Sequence, residues 1–262
     1  MRIAVCVKQV PDTTEIKIDP IKKTLIRTGV PSILNPFDRN AVEMALQLRD
    51  TYGGTVTVFS MGLPQARAVI REAIAMGADE GYLVTDRAFG GSDTFATSYI
   101  LSSALKLKGP FDVILGGQQA VDGDTGQTAP SIAEHLGVTR VTCVLDLKVE
   151  GEKCIARRKV EEGVEVVEAK MPVLCTATRE SNKPRYATIA RKIYSLDCEI
   201  PPISKADMPE IDETKIGLTG SPTRVKNTFT PERTANGVYI TGNTAAEIAA
   251  RLLDKLADAK AL

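Results

Sequence analysis

The sequence has little of what metal ligation or side-chain nucleophilic chemistry requires. It contains one histidine, His135, and five cysteines, Cys6, Cys143, Cys154, Cys175 and Cys198, widely spaced and without a Cys-x-x-Cys pair. That pattern argues against a structural zinc site and against a disulfide framework. His135 falls in the last turn of a helical pattern before Gly137, where a helix C-terminus favours a cation, so it reads as structural. No Ser-His-Asp, Cys-His or paired-carboxylate arrangement is apparent, so any chemistry belongs to a bound cofactor. The charges balance at 33 basic and 33 acidic residues, which removes any global field toward nucleic acid or an anionic membrane. No apolar run approaches membrane-spanning length, and residues 1–7 enter a strand at once without a signal-peptide pattern. The expectation is a soluble cytoplasmic protein without membrane insertion.

What is present is a regular alternation of strand and helix. With 262 residues, 43% of them hydrophobic, the chain can bury a large core. Residues 2–10 read as a buried strand ending at Pro11, followed by a small hairpin over 15–18 and 24–26. Asp38 is the N-cap candidate for a helix over 39–51, with Ala41, Met44, Ala45 and Leu48 on one face. Strand 55–60, helix 64–76, strand 81–84, helix 94–107, strand 112–115 and helix 129–135 follow, punctuated by Gly77, Asp93, Gly109 and Gly137. This grammar predicts an α/β fold, a doubly wound and mostly parallel, Rossmann-like sheet. Three alternating segments, 140–149, 153–160 and 164–170, add antiparallel strands, and 172–177 returns to a buried strand. The domain is expected to span 1–190. Prolines and glycines break up the remainder, so 191–262 is expected to be an extended C-terminal arm, closed by a helix that a Thr244…Glu247 capping box opens.

The stretch around which the chain is organised is the glycine-rich run 116–128, between a buried strand and a helix start, where open α/β sheets bind ligands. Its glycines allow close backbone approach, and Thr125, Gln127 and Thr128 add donors, a pattern suited to a nucleotide phosphate. Asp122 and Asp124 would repel a phosphate unless they accept hydrogen bonds from ribose or ribityl hydroxyls or from loop N–H groups. A calcium loop fails on spacing, and a Walker A loop fails because no Gly-Lys-Ser/Thr follows. A solvated turn with Asx caps is the alternative. A nucleotide hydrolase or ligase would need a basic residue at the loop, and none is nearer in sequence on the C-terminal side than Arg140. The polar loop 178–186 fits either a surface connection or a docking loop with Arg and Tyr anchors.

Five stretches, 7–12, 35–38, 75–79, 119–127 and 184–188, in this order and spacing, resemble the beta subunit of electron-transferring flavoprotein over essentially the whole chain. The resemblance implies a heterodimer with an alpha subunit that carries the electron-shuttling FAD, the C-terminal segment of the beta chain reaching over its partner. It also implies a beta-subunit crevice holding either FAD or, as a structural ligand, AMP. The matching positions here are Cys6 as a backbone contact, Asn35, Pro36, Phe37, Asp38 and Met61. The same crevice takes in Gly117, Gln118, Gln119, Ala120, Val121, Asp122, Gly123, Asp124, Thr125, Gly126, Gln127 and Thr128. The surface matching Arg179, Ser181, Asn182, Lys183, Arg185 and Tyr186 resembles the loop that docks an acyl-CoA dehydrogenase. Gly123 and Gly126 are similar to electron-bifurcating members, whereas AMP-holding members more often carry bulkier residues there. In bifurcating members NADH gives a hydride; one electron goes to ferredoxin or flavodoxin and the other, through the alpha-subunit FAD, to the dehydrogenase.

Overall fold

The computed structural model of the chain describes residues 1–12, 31–226 and 237–261. The hairpin expected over 15–26 lies outside the described residues. The chain divides into two compact units, the first containing the described residues up to Lys226 and the second those from 237 onward.

Unit one is built on a nine-stranded sheet. In chain order its elements are β1 (Arg2–Cys6), β2 (Gln9–Pro11), β3 (Ser32–Leu34), α1 (Pro36–Tyr52), β4 (Thr55–Met61), α2 (Arg67–Met76), β5 (Glu80–Val84), α3 (Thr94–Lys108), β6 (Val113–Gly117), α4 (Thr128–Leu136), β7 (Thr139–Glu150), β8 (Lys153–Val160), β9 (Gly163–Lys170), β10 (Val173–Ala177), α5 (Ile189–Asp197) and β11 (Pro202–Ile203). The sheet order is β11-β5-β4-β1-β6-β10-β7-β8-β9. All pairs from β11 to β7 are parallel, and β7-β8-β9 are antiparallel. The doubly wound, mostly parallel sheet with antiparallel additions is therefore the observed architecture.

The strands are apolar on both sides because helices cover both faces. Ile3, Val5, Val56, Val58, Val113 and Leu115 pack with α1 and α2 on one face, while Ala4, Phe59, Ile114 and Leu174 pack with α3 and α4 on the other. The first strand is shorter than expected. It stops at Cys6, and β2 pairs separately with β3, because the Lys8 amide and carbonyl leave the ladder for partners in 35–38.

The segment 191–226 was expected to begin an arm, but it belongs to unit one. Helix α5 packs on α2, and the two helices cap each other: Arg71 Nη1 donates to the carbonyls of Ser195, Leu196 (2.6 Å) and Cys198 (3.3 Å), and Arg191 Nη2 to those of Ile74 (2.6 Å) and Ala78 (2.5 Å). β11 then extends the sheet beyond β5, and Ile203, Met208 and Ile216 are buried in the α3 face of the core. Short 3-10 turns, capped by Ser204 and Asp212, replace the long periodic segments that sequence inspection looks for.

Unit two contains α6 (Ala245–Asp258), opened by Thr244, whose Oγ1 accepts from the Glu247 amide at 3.2 Å. Ile248, Leu252 and Leu253 are exposed on it. Among the described residues no helix is long and apolar enough to cross a membrane.

Gly217 tests the seating of the 205–226 segment. It has φ of 60°, and a Cβ there would lie 2.3 Å from the Ala88 carbonyl oxygen. Gly217→Ala is expected to cost about 1–3 kcal/mol in urea unfolding. An unchanged midpoint would mean that this segment is not bound to the sheet.

Candidate functional site

The chain reverses its winding between β1 and β6, and a crevice opens at the carboxyl ends of these two parallel strands. In register there, Cys6 pairs with Phe59 on one side and Gly116 on the other, and Gly117 pairs with Ala177. Met61 ends β4, one strand away.

Residues 35–38 brace this crevice. Pro36 starts α1, for which its fixed φ is suited, and Asn35 rather than Asp38 occupies the N-cap. Neither side chain caps the helix. The Asp38 carboxylate, 6% exposed, accepts from the Lys8 amide at 2.7 Å and from the Gly117 amide at 3.0 Å. Asn35, fully buried, accepts from the Val121 amide at 3.2 Å and donates to the Gln119 carbonyl at 2.9 Å, while its own amide donates to the Lys8 carbonyl at 3.0 Å. The Gln118 amide donates to the Ala177 carbonyl at 2.9 Å. A Cβ at Gly117 would sit 2.4 Å from Asp38 Oδ1, so this position requires glycine. The Asn35 and Asp38 side chains thus shape the crevice wall.

Each of the loop's carboxylates has a side-chain partner within the chain. Asp124, at φ 51°, accepts from Gln119 Nε2 at 2.8 Å, and its amide donates to the Ala120 carbonyl at 2.8 Å. Asp122 accepts from Lys8 Nζ at 2.6 Å. Lys8 is a site residue that inspection of the loop's sequence neighbours missed: it is 114 residues away and reaches the loop only because β1 and β6 are adjacent. Val121, Gly123, Thr125 and Gln127 are exposed, Gly126 takes a left-handed φ of 62°, and α4 begins at Thr128 with Gln127 making no side-chain cap. Loop N–H groups and hydroxyls are therefore available to an anion at a helix start.

Burial pushes Asp38 up to about 7, against the opposing hydrogen bonds from Asn35 and from the Lys8 and Gly117 amides. Burial and the neighbouring Asp38 charge push the Cys6 thiol up to about 12. A thiol so raised stays protonated at neutral pH and is a poor nucleophile.

The expected docking residues divide into two sets. Arg185 donates to buried Glu43 through its amide (3.0 Å), Nε (2.9 Å) and Nη2 (3.1 Å), and to Asp50 through Nη1 at 2.8 Å. Asn182 exchanges hydrogen bonds with Asn40, and Ser181 Oγ donates to the Thr178 carbonyl at 2.8 Å. Arg185 and Asn182 fasten the loop to α1, while Ser181 closes a turn within the loop. Lys183 and Tyr186 are exposed, and Arg179, also exposed, lies over the Phe37 ring at 5.6 Å. Beyond them Ile189 (82% exposed), Ile193 and Leu196 form an apolar stripe on α5, and Tyr186 (96%) precedes the helix. The spacing of four and three residues along α5 is the helical signal that could have revealed it.

Comparison with known proteins places the chain among relatives of one kind. Residues 22–215 match the model of the electron transfer flavoprotein domain. The chain is 50% identical to the electron transfer flavoprotein subunit beta of Clostridium acetobutylicum, with 98% of each chain covered. It is 48% identical to the caffeyl-CoA reductase-Etf complex subunit CarD of Acetobacterium woodii, again over 98% of each. It is 43% identical to the acryloyl-CoA reductase electron transfer subunit gamma of Anaerotignum propionicum, over 98% of each.

The raised Asp38 carboxyl has a testable sign. Its ordinary value is 3.8, so between about pH 4 and 7 the folded protein holds a proton that the unfolded chain releases, and stability from this group falls as pH rises through that window. Asp38→Asn leaves one amide without an acceptor, a cost of about 1–3 kcal/mol that does not titrate. In urea unfolding, the wild type's advantage over Asp38→Asn is expected to shrink from pH 5 to pH 8. A constant gap would place the titration of Asp38 elsewhere.

Proposed function

The chain belongs to the electron transfer flavoprotein beta-subunit family, and from that premise we propose that its crevice holds FAD and that, with an alpha subunit, it takes part in electron bifurcation. The observation that carries this reading is the space at the glycine-rich loop: a Cβ on Gly123 would meet nothing within 4 Å, and Gly126 holds a left-handed turn without a side chain. Where AMP-holding members more often carry bulk, this loop carries no side chain at either position. The similarity to subunits named for caffeyl-CoA and acryloyl-CoA reductase complexes supports the same reading. When bound, FAD supplies the redox chemistry, with NADH as electron donor, ferredoxin or flavodoxin as the low-potential outlet, and an acyl-CoA dehydrogenase as the other outlet through the alpha-subunit FAD.

The chain's own residues bind and orient. The backbone around 117–128, with Thr125, Gln127 and Thr128, receives the nucleotide, and the Asn35 and Asp38 brace keeps that backbone in place. Cys6 and Met61 line the strand ends, and the Cys6 thiol, held protonated by burial, contributes no redox step. Asp122 and Asp124 are each turned onto a partner of this chain, which disfavours a hydrolase using them as a metal pair. The stripe of Ile189, Ile193 and Leu196, with Tyr186, Arg179 and Lys183 beside it, receives the dehydrogenase. The exposed apolar face of α6 packs on the alpha subunit.

The nucleotide content of the heterodimer tests the first part. After denaturation, two FAD per heterodimer with little AMP is expected; one FAD and one AMP would overturn the bifurcation reading and leave the chain as a structural and docking subunit. Gly123→Asp is expected to lower the flavin content with the heterodimer intact, and unchanged content would count against FAD at this loop.

Docking is separable by a second pair of variants. Ile193→Asp is expected to slow electron delivery to the dehydrogenase while NADH oxidation by an artificial acceptor is kept. Arg185→Glu, which faces buried Glu43 with a second carboxylate, is expected to destabilise the fold and lower both rates together. Equal losses in the Ile193 variant would mean that the stripe does not dock.

A further inference from the structure

A carboxylate in a phosphate-binding loop needs a cation, and the structure brings one from outside the loop. The Lys8 backbone is clamped on both sides, its amide on Asp38 at 2.7 Å and its carbonyl on the Asn35 amide at 3.0 Å. Only its side chain is free to move, and it reaches Asp122 at 2.6 Å, the two side chains being 48% and 20% exposed. Asp38 places Lys8 beside the root of the loop at Gly117, and Asp122 places the ammonium over its far arm.

We propose that Lys8 is the phosphate-binding cation of this crevice, with Asp122 as its resting partner, so that a bound nucleotide takes a share of the ammonium through its phosphoryl oxygens. This rests on the reading of the crevice as a nucleotide site. An ammonium has three donors, of which Asp122 uses one, and its four-carbon stem can turn while the backbone stays fixed. Without Lys8, a phosphate entering the loop would meet an uncompensated carboxylate at Asp122. Asp124 is oriented by Gln119 Nε2 at 2.8 Å and is exposed to solvent, which screens its charge. A pair this exposed contributes little to folding, so its removal is felt in anion binding rather than in stability.

The test uses the full chain as its heterodimer, freed of endogenous nucleotide and titrated calorimetrically with ADP and with adenosine. Lys8→Gln is expected to weaken ADP about tenfold, the worth of one charge-assisted hydrogen bond, with adenosine changed by less than about twofold and the melting temperature little altered. Asp122→Asn, which releases the ammonium from its resting partner, is expected to tighten ADP, and Lys8→Arg to retain most of the affinity. Unchanged ADP binding in Lys8→Gln, or an equal loss for ADP and adenosine, overturns the role of Lys8. A wild-type heterodimer that binds neither ligand overturns the nucleotide reading itself, a result distinct from either of those.

Discussion

The crevice depends on one buried carboxylate. β1 and β6 end side by side, and each end presents a backbone amide without a ladder partner, an arrangement that is costly away from water. Asp38 supplies one oxygen to each, from the first turn of α1, where the helix dipole favours negative charge. Asn35 extends the brace to Gln119 and Val121. Loss of this pair would leave the strand ends adjacent and the loop without a fixed shape.

With the loop's root fixed, its charges can be ordered. Asp122 and Asp124 face Lys8 and Gln119 instead of the loop's amides, and Gly126 turns the chain into α4. A loop carrying two carboxylates is thereby compatible with an anionic ligand. Burial leaves the Cys6 thiol protonated, so the chemistry supported here is binding and positioning around a cofactor.

α1 also connects the crevice to the outer surface. Its first turn braces the loop, and its middle holds 178–186 through Asn40 and Glu43. The mutual arginine caps of α2 and α5 then fix the helix that carries the exposed apolar stripe. The polar residues of 178–186 that look suited to a partner are in part the fastening, while Arg179 and Lys183 stay exposed beside the apolar stripe. Arg and Asn side chains serve either purpose, and only their neighbours decide which.

Local pattern was sufficient for the strand and helix alternation from α1 to β10, because apolar runs and glycine or proline punctuation are carried within each segment, but not for the break between β1 and β2 or for β3. The family resemblance and the position of the glycine-rich loop were legible for the same reason. The chain from 191 to 226 was not, since its short 3-10 turns and two-residue strand have no period of their own and are held by α2, β5 and α3. Nor were the roles within the site. The N-cap assignment of Asp38 failed because an amide 79 residues away offered a better use for its carboxylate, and Lys8 was overlooked because its partner lies 114 residues along the chain. Sequence by itself determined the long periodic elements, since those forces act within a few residues. Only the tertiary structure decided which polar groups meet, because a buried hydrogen bond or ion pair takes whichever partner the sheet order brings within about 3 Å.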